Sequence, residues 1–137
     1  MDHNSCEGVV DCTALVIAEG YAEVEGKITL FGILEELKVE PRSPASFVVY
    51  AKFEGCEHAG DRPWPASVLV SDEDGQVLQE SEEYALWFDE SESQTIIAEF
   101  DVPEDFAAEE RVLWVEAVLE DSTVSQTAVW IRERYNV

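Results

Sequence analysis

The stretch "SFVVYAKF" sets Phe47, Val49, Ala51 and Phe53 at alternate positions, with Val48, Tyr50 and Lys52 between them. Successive side chains of an extended chain point to opposite faces, so the pattern predicts a strand with one face on a core. "RVLWVEAVLE" repeats it: Leu113, Val115, Ala117 and Leu119 are expected inward, and Val112, Trp114, Glu116 and Val118 outward. "ASVLVSDEDGQVL" reads as strand, Asp-Gly turn, strand, and "VLEDSTV" as a second tight reversal, because short polar residues and glycine tolerate the backbone angles such turns need. "TALVIAEGYAEV" and "TIIAEFDV" are each apolar enough to cross a core. "KITLFGILEELKV" is ambiguous, since Leu30, Leu34 and Leu37 would also stripe a helix. Gly32 inside it and the β-branched Ile28, Thr29 and Ile33 favour one long bent strand, bulged near Glu35 and Glu36.

Loops are expected at "EPRSPAS", "CEHAGDRPWP" and "VPEDFAAEE", the last with room for one helical turn begun by Pro103. There is no repeat and no linker composition that would divide the chain. About eight short strands at this spacing predict an all-β fold, a single-domain two-sheet antiparallel β-sandwich of the Ig-like or a related kind. Residues 12–137 would form it, behind a flexible N-terminal segment at 1–11. At 137 residues the chain is long enough to bury a core without staples.

From 18 to 37, "AEGYAEVEGKITLFGILEEL" resembles an uncharacterised bacterial family of small all-β domains. The shared pattern is a strand of the form A-[DE]-x-A-x-V, a turn ending in G-K, and an apolar strand with an internal glycine. Ala18, Glu19, Ala22, Val24, Gly26, Lys27, Leu30 and Gly32 carry it, and "VVYAKFEG" and "SVLVSDEDGQVL" look like that family's middle strands. The resemblance implies a β-sandwich and supplies no catalytic residue. The acidity of this chain departs from the pattern.

That acidity changes the picture. The formal net charge is −23, with 31 acidic and 8 basic residues. Residues 1–68 hold 12 acids against 5 bases, and residues 69–137 hold 19 against 3. Between Arg62 and Arg111 there is no basic residue at all, and "SDEDGQVLQESEEYALWFDESES" carries nine carboxylates. Direct binding to nucleic acid is excluded on this balance, because lysine and arginine hold the phosphate backbone. Anionic membrane surfaces are excluded for the same reason. The start "MDHNSCEGVVDC" has neither a basic nor an apolar leader region, and no run is long enough to span a bilayer, so a cytoplasmic location is expected. Three cysteines, Cys6, Cys12 and Cys56, form no recognisable framework and are expected reduced.

The usual catalytic signatures are missing: there is no phosphate loop, no G-x-S-x-G and no H-E-x-x-H. Cys56 stands two residues from His58, which would suit an activated thiol, but a small thiol beside an exposed loop is the simpler reading. His3, Cys6, Cys56 and His58 are the weak candidates for a zinc site, in "HNSC" and "CEH", without the C-x-x-C spacing such sites favour. "SDEDGQ" echoes a calcium loop, yet counting from Asp72 puts Val77 where that loop needs glycine. No metal and no cofactor are expected.

The aromatic residues point further. Trp87 and Phe88 lie within the acidic run, and Trp114 and Trp130 would share a sheet surface if their strands pair. An aromatic ringed by carboxylates on an outer face suits a basic protein partner. Asp72, Asp74, Glu82, Glu83, Trp87, Asp89 and Glu90 are therefore the expected partner-binding residues of a non-enzymatic interaction module. The alternative is a nucleic-acid mimic that blocks a DNA- or RNA-binding protein, and a small hydrolase or metal-dependent enzyme is remote. Adaptation to high salt would add acid everywhere, and the regional bias speaks against it as the whole explanation.

Overall fold

The computed structural model describes residues 10–39, 44–56, 59–102 and 111–133. They form ten strands: β1 (Val10–Val24), β2 (Lys27–Ile33), β3 (Glu36–Val39), β4 (Ser46–Gly55), β5 (Trp64–Ser71), β6 (Val77–Glu80), β7 (Tyr84–Leu86), β8 (Ser93–Asp101), β9 (Arg111–Leu119) and β10 (Ser122–Glu133). One sheet has the order β2-β1-β4-β8. The other runs β3-β10-β9-β5, with β6 and β7 both paired to the remaining edge of β5.

Strict alternation builds the core between the sheets. Phe47, Val49, Ala51 and Phe53 of β4 are fully buried, as are Leu113, Val115 and Ala117 of β9, with Leu119 nearly so. Ile96 and Phe100 of β8, Val68 and Val70 of β5, and Val129 and Ile131 of β10 complete it. The rings of Phe47 and Phe100 pack 5.9 Å apart at 34°. Burying each such side chain stabilises the fold by about 1.5–3 kcal/mol. Gln79 of β6 ties the sheets at one corner: its amide donates to the carbonyl of Asp101 and accepts from the Asp101 N–H at 3.1 Å.

Three expectations are corrected. The segment 27–39 is two strands, not one bent strand: β2 lies in the first sheet and β3 in the second. The break falls at Leu34 and Glu35, where Leu34 N–H donates to Ile17 and the Glu35 carbonyl accepts from Trp130, and Leu34 and Leu37 turn onto the core. Crossing between sheets lets both leucines bury where a single edge strand would expose one. Second, β3 pairs parallel to β10, so the sandwich is not wholly antiparallel. Third, β1 begins at Val10, which is buried, two residues before the expected boundary. The expected helical turn after Pro103 lies outside the described residues.

The first hairpin departs from the compact pattern. β1 pairs with β4 from Val10 to Ala18, and with β2 from Ala18 to Val24. Residues 19–33 therefore extend past β4 as a two-stranded ribbon, and not one of them is buried. Glu25 and Gly26 turn it with φ of 53° and 78°, the two positive angles of a type I′ hairpin.

Candidate functional site

The acidic run folds along one edge of the second sheet. Its strands are short: β6 pairs Val77, Gln79 and Glu80 with the C-terminal half of β5, and β7 pairs Tyr84, Ala85 and Leu86 with its N-terminal half. Between them Ser81 stands in for a strand residue. Its N–H donates to the Val68 carbonyl at 2.8 Å, and its Oγ accepts from the Val68 N–H at 2.9 Å. Glu82 and Glu83 are thereby held on the outside of the edge, both exposed.

At one end lies the 72–76 turn. Asp72 is corrected as a partner-binding residue: it is only 7% exposed, and its Oδ1 accepts from the N–H groups of Asp74 and Gln76, each at 2.9 Å. Its own N–H and carbonyl bind Gln76 O and Gly75 N–H, so the residue closes the turn rather than facing outward. Gly75, at φ 83°, supplies the left-handed position. Asp74 is exposed. Glu73 beside it is neutralised by Arg111, whose Nε and NH2 both donate to it at 3.1–3.2 Å and hold its carboxyl below the usual range.

At the other end, Phe88 points into the core and so turns its neighbour Trp87 outward, 45% exposed. The Trp87 carbonyl accepts from Gln94 Nε2 at 2.7 Å. The loop carrying exposed Asp89 and Glu90 is seated close on glycine: a Cβ at Gly60 would meet the Asp89 Cα and the Phe88 carbonyl at 3.0 Å, and one at Gly55 would meet the Phe88 ring at 3.0 Å.

The fold thus brings Asp74, Glu82, Glu83, Trp87, Asp89 and Glu90 to one edge, along β5 and past both of its ends. Glu80, exposed at the end of β6, belongs with them. Sequence reasoning passed over it because the alternation of "QVLQES" does not mark which face is outward. Among the described residues, ion pairs reach Glu36, Glu73 and Glu120, and none reaches these edge carboxylates. Burial and then the adjacent Glu82 carboxylate push the Tyr84 phenol up, which places Tyr84 within the same edge.

The remaining candidates fall elsewhere. Cys56 is in a disulfide, against the expected reduced state, and a sulfur so bonded is no thiolate for zinc. His3, Cys6 and His58 lie outside the described residues. Cys12 is free and half-buried; burial raises its thiol, and its Sγ donates to the Ala14 carbonyl at 3.3 Å. Trp114 and Trp130 do share the outer face of the second sheet, since β9 and β10 pair Ala128 with Trp114 and Trp130 with Val112. Trp64 is buried, with its Nε1 donating to Ala59 and the Arg62 guanidinium 3.7 Å from its ring. Among the described residues no helix is long and apolar enough to cross a membrane.

No protein-family model matches the chain, and no curated protein matches it in sequence. In fold it is similar to part of a beta-galactosidase candidate from Bacteroides fragilis, with TM-score 0.52, 12% identity, and 88% of this chain against 17% of that one. It is similar too to part of the alkylpurine DNA glycosylase AlkC of Pseudomonas fluorescens, bound to DNA with an abasic-site analogue: TM-score 0.51, 10% identity, 90% of this chain against 30% of that one. An immunoglobulin-like protein from Pseudomonas aeruginosa aligns over 90% of this chain and 97% of its own, at TM-score 0.45 and 16% identity. The chain spans less than a third of the first two proteins. At these identities the likeness is one of fold, and the class is an all-β sandwich.

Proposed function

We propose that the domain is a non-enzymatic protein-interaction module whose acidic edge receives a basic partner. The observation that carries this reading is the line of exposed carboxylates from Asp74 through Glu80, Glu82 and Glu83 to Asp89 and Glu90, unmatched by any described ion pair and interrupted by exposed Trp87. Exposed charge speeds the encounter, and a half-exposed tryptophan supplies area that slows release. Neutralising Asp74, Glu82, Glu83, Asp89 and Glu90 to Asn or Gln should slow association with the native partner and flatten its dependence on salt, while Trp87→Ala should speed dissociation. A partner whose rates ignore both changes overturns the reading.

A second reading has its own support. Six exposed carboxylates follow one another along one sheet edge, as phosphates follow one another along a nucleic-acid strand. A nucleic-acid mimic would therefore compete stoichiometrically with duplex DNA or RNA for its target, and an ordinary interaction module would not. Fluorescence anisotropy with a labelled duplex separates the two. As for compartment, the disulfide at Cys56 favours an oxidising one over the cytoplasm expected from sequence, because reducing compartments keep thiols free.

A further inference from the structure

We propose that the β1–β2 ribbon is a self-association surface, through which two copies of this chain pair edge to edge along β2 and join their four-stranded sheets into one. A two-stranded ribbon is marginal in water on its own, because neither face has a partner layer. This one carries Tyr21, Val24, Phe31 and Ile33 exposed, the last two at 52% and 62%. Its outer edge, β2, is a row of backbone groups with no neighbouring strand among the described residues. Sheet edges are ordinarily guarded by charge, proline or a bulge. β2 reads KITLFGI: its one charge is Lys27 at the first position, it has no proline, and its one departure from regular pairing is at Gly32 near its end, where φ is 64° and Glu19 fills the space a Cβ would take.

Charge selects the occupant. In a chain of net charge −23, a second copy is repelled nearly everywhere, and the edges at β3, β6 and β8 each carry carboxylates: Glu36, Glu80, and Glu99 with Asp101. β2 carries instead a single cation, Lys27, at its first position, and Glu35 follows shortly after its last. Two copies of one edge strand related by a two-fold axis run antiparallel. In the register that sets Lys27 of each copy opposite Glu35 of the other, Phe31 meets Phe31 across the new pair, and Ile33, opposite Thr29, lies diagonal to it. The carboxylates nearest β2, Glu19 and Glu23, stand on β1, with Glu19 lying against Gly32, and this ribbon is in the first sheet, apart from the acidic edge of the second. Seven residues span only about 24 Å, so the interface belongs with small, weak ones and the dimer should dissociate on dilution.

The sign of the salt effect is the test. A basic partner at the acidic edge is lost as salt rises; a dimer of like-charged copies is strengthened, because salt screens their overall repulsion. Sedimentation velocity from about 5 to 500 μM, at low salt and near 1 M, should show a monomer–dimer equilibrium that tightens with salt, where the screening length has fallen to about 3 Å. Amides of 27–33 should gain hydrogen-exchange protection with concentration. Phe31→Ser with Ile33→Ser, both exposed and charge-neutral, should weaken the dimer at least about tenfold with the far-ultraviolet spectrum unchanged. Lys27→Glu should weaken it at low salt and much less at high salt. The variant neutralised at Asp74, Glu82, Glu83, Asp89 and Glu90 should dimerise at least as tightly as the parent, so failure of one reading does not mimic failure of the other. A monomer at every concentration and salt, a dimer indifferent to Phe31→Ser with Ile33→Ser, or one that loosens with salt overturns the proposal.

Discussion

Asp72 and Asp74 stand two residues apart in an acidic turn and have opposite roles. Asp72 is buried and receives two backbone N–H groups on one oxygen, so Asp72→Ala leaves donors without their acceptor and should cost about 1–3 kcal/mol by urea unfolding. Asp74 is exposed and its side chain holds nothing described, so Asp74→Ala should change stability by less than about 0.5 kcal/mol. Equal effects would remove the distinction. Tyr84 tests the acidic edge itself. Burial first and Glu82 second raise its phenol, so the folded state favours the protonated form. That contribution to stability is fully present below the phenol's unfolded value near pH 10, and is lost as pH rises through the folded one. Absorbance titration of the parent minus Tyr84→Phe should give a midpoint above that of free tyrosine, and Glu82→Gln should bring it back toward normal. No movement on Glu82→Gln would mean that the two side chains are apart in solution.

Among the elements, the turns show what the alternation of strands leaves open. The β9–β10 reversal sets Glu120 and Asp121 at φ 51° and 65°, a left-handed pair that side chains resist and glycine accepts. Glu120 is held there by Arg62, at 3.0 Å, and by its N–H to the Pro65 carbonyl. Asp121→Gly should therefore stabilise the domain by up to about 1 kcal/mol, read as a raised unfolding midpoint. Seating of the Trp87 loop depends on Gly60, where a side chain would meet the Asp89 backbone. Gly60→Val should displace that loop, shift the Trp87 fluorescence and leave the core strands in place. The β4 and β9 strands were legible in "SFVVYAKF" and "RVLWVEAVLE" because the fully buried residues of each are the ones alternation picks out, although Val48 on the other face of β4 is buried too. The break between β2 and β3 was not legible, since Leu30, Leu34 and Leu37 fit a strand, a helix or a crossing equally well until a second sheet is there to receive Leu37.

For the whole molecule, a charge of −23 is repulsive, so the unfolding temperature should rise with sodium chloride between low salt and about 1 M, where the screening length is about 3 Å. An unfolding temperature independent of salt would mean that the carboxylates are too far apart to matter. By itself the sequence determined the period-two pattern, the identity of the core faces, the positions of the tight turns and the fact of a long uncompensated acidic run, because each of these is local and repeats within a few residues. Only the tertiary structure decided which carboxylates of that run face outward. Short strands β6 and β7 fold it against β5, burying Asp72 as a turn closure and leaving Glu80, Glu82 and Glu83 on the edge. It also decided that "KITLFGI" is an edge with no neighbouring strand among the described residues. Exposure and partnership depend on what a residue packs against, and those neighbours lie tens of residues away along the chain.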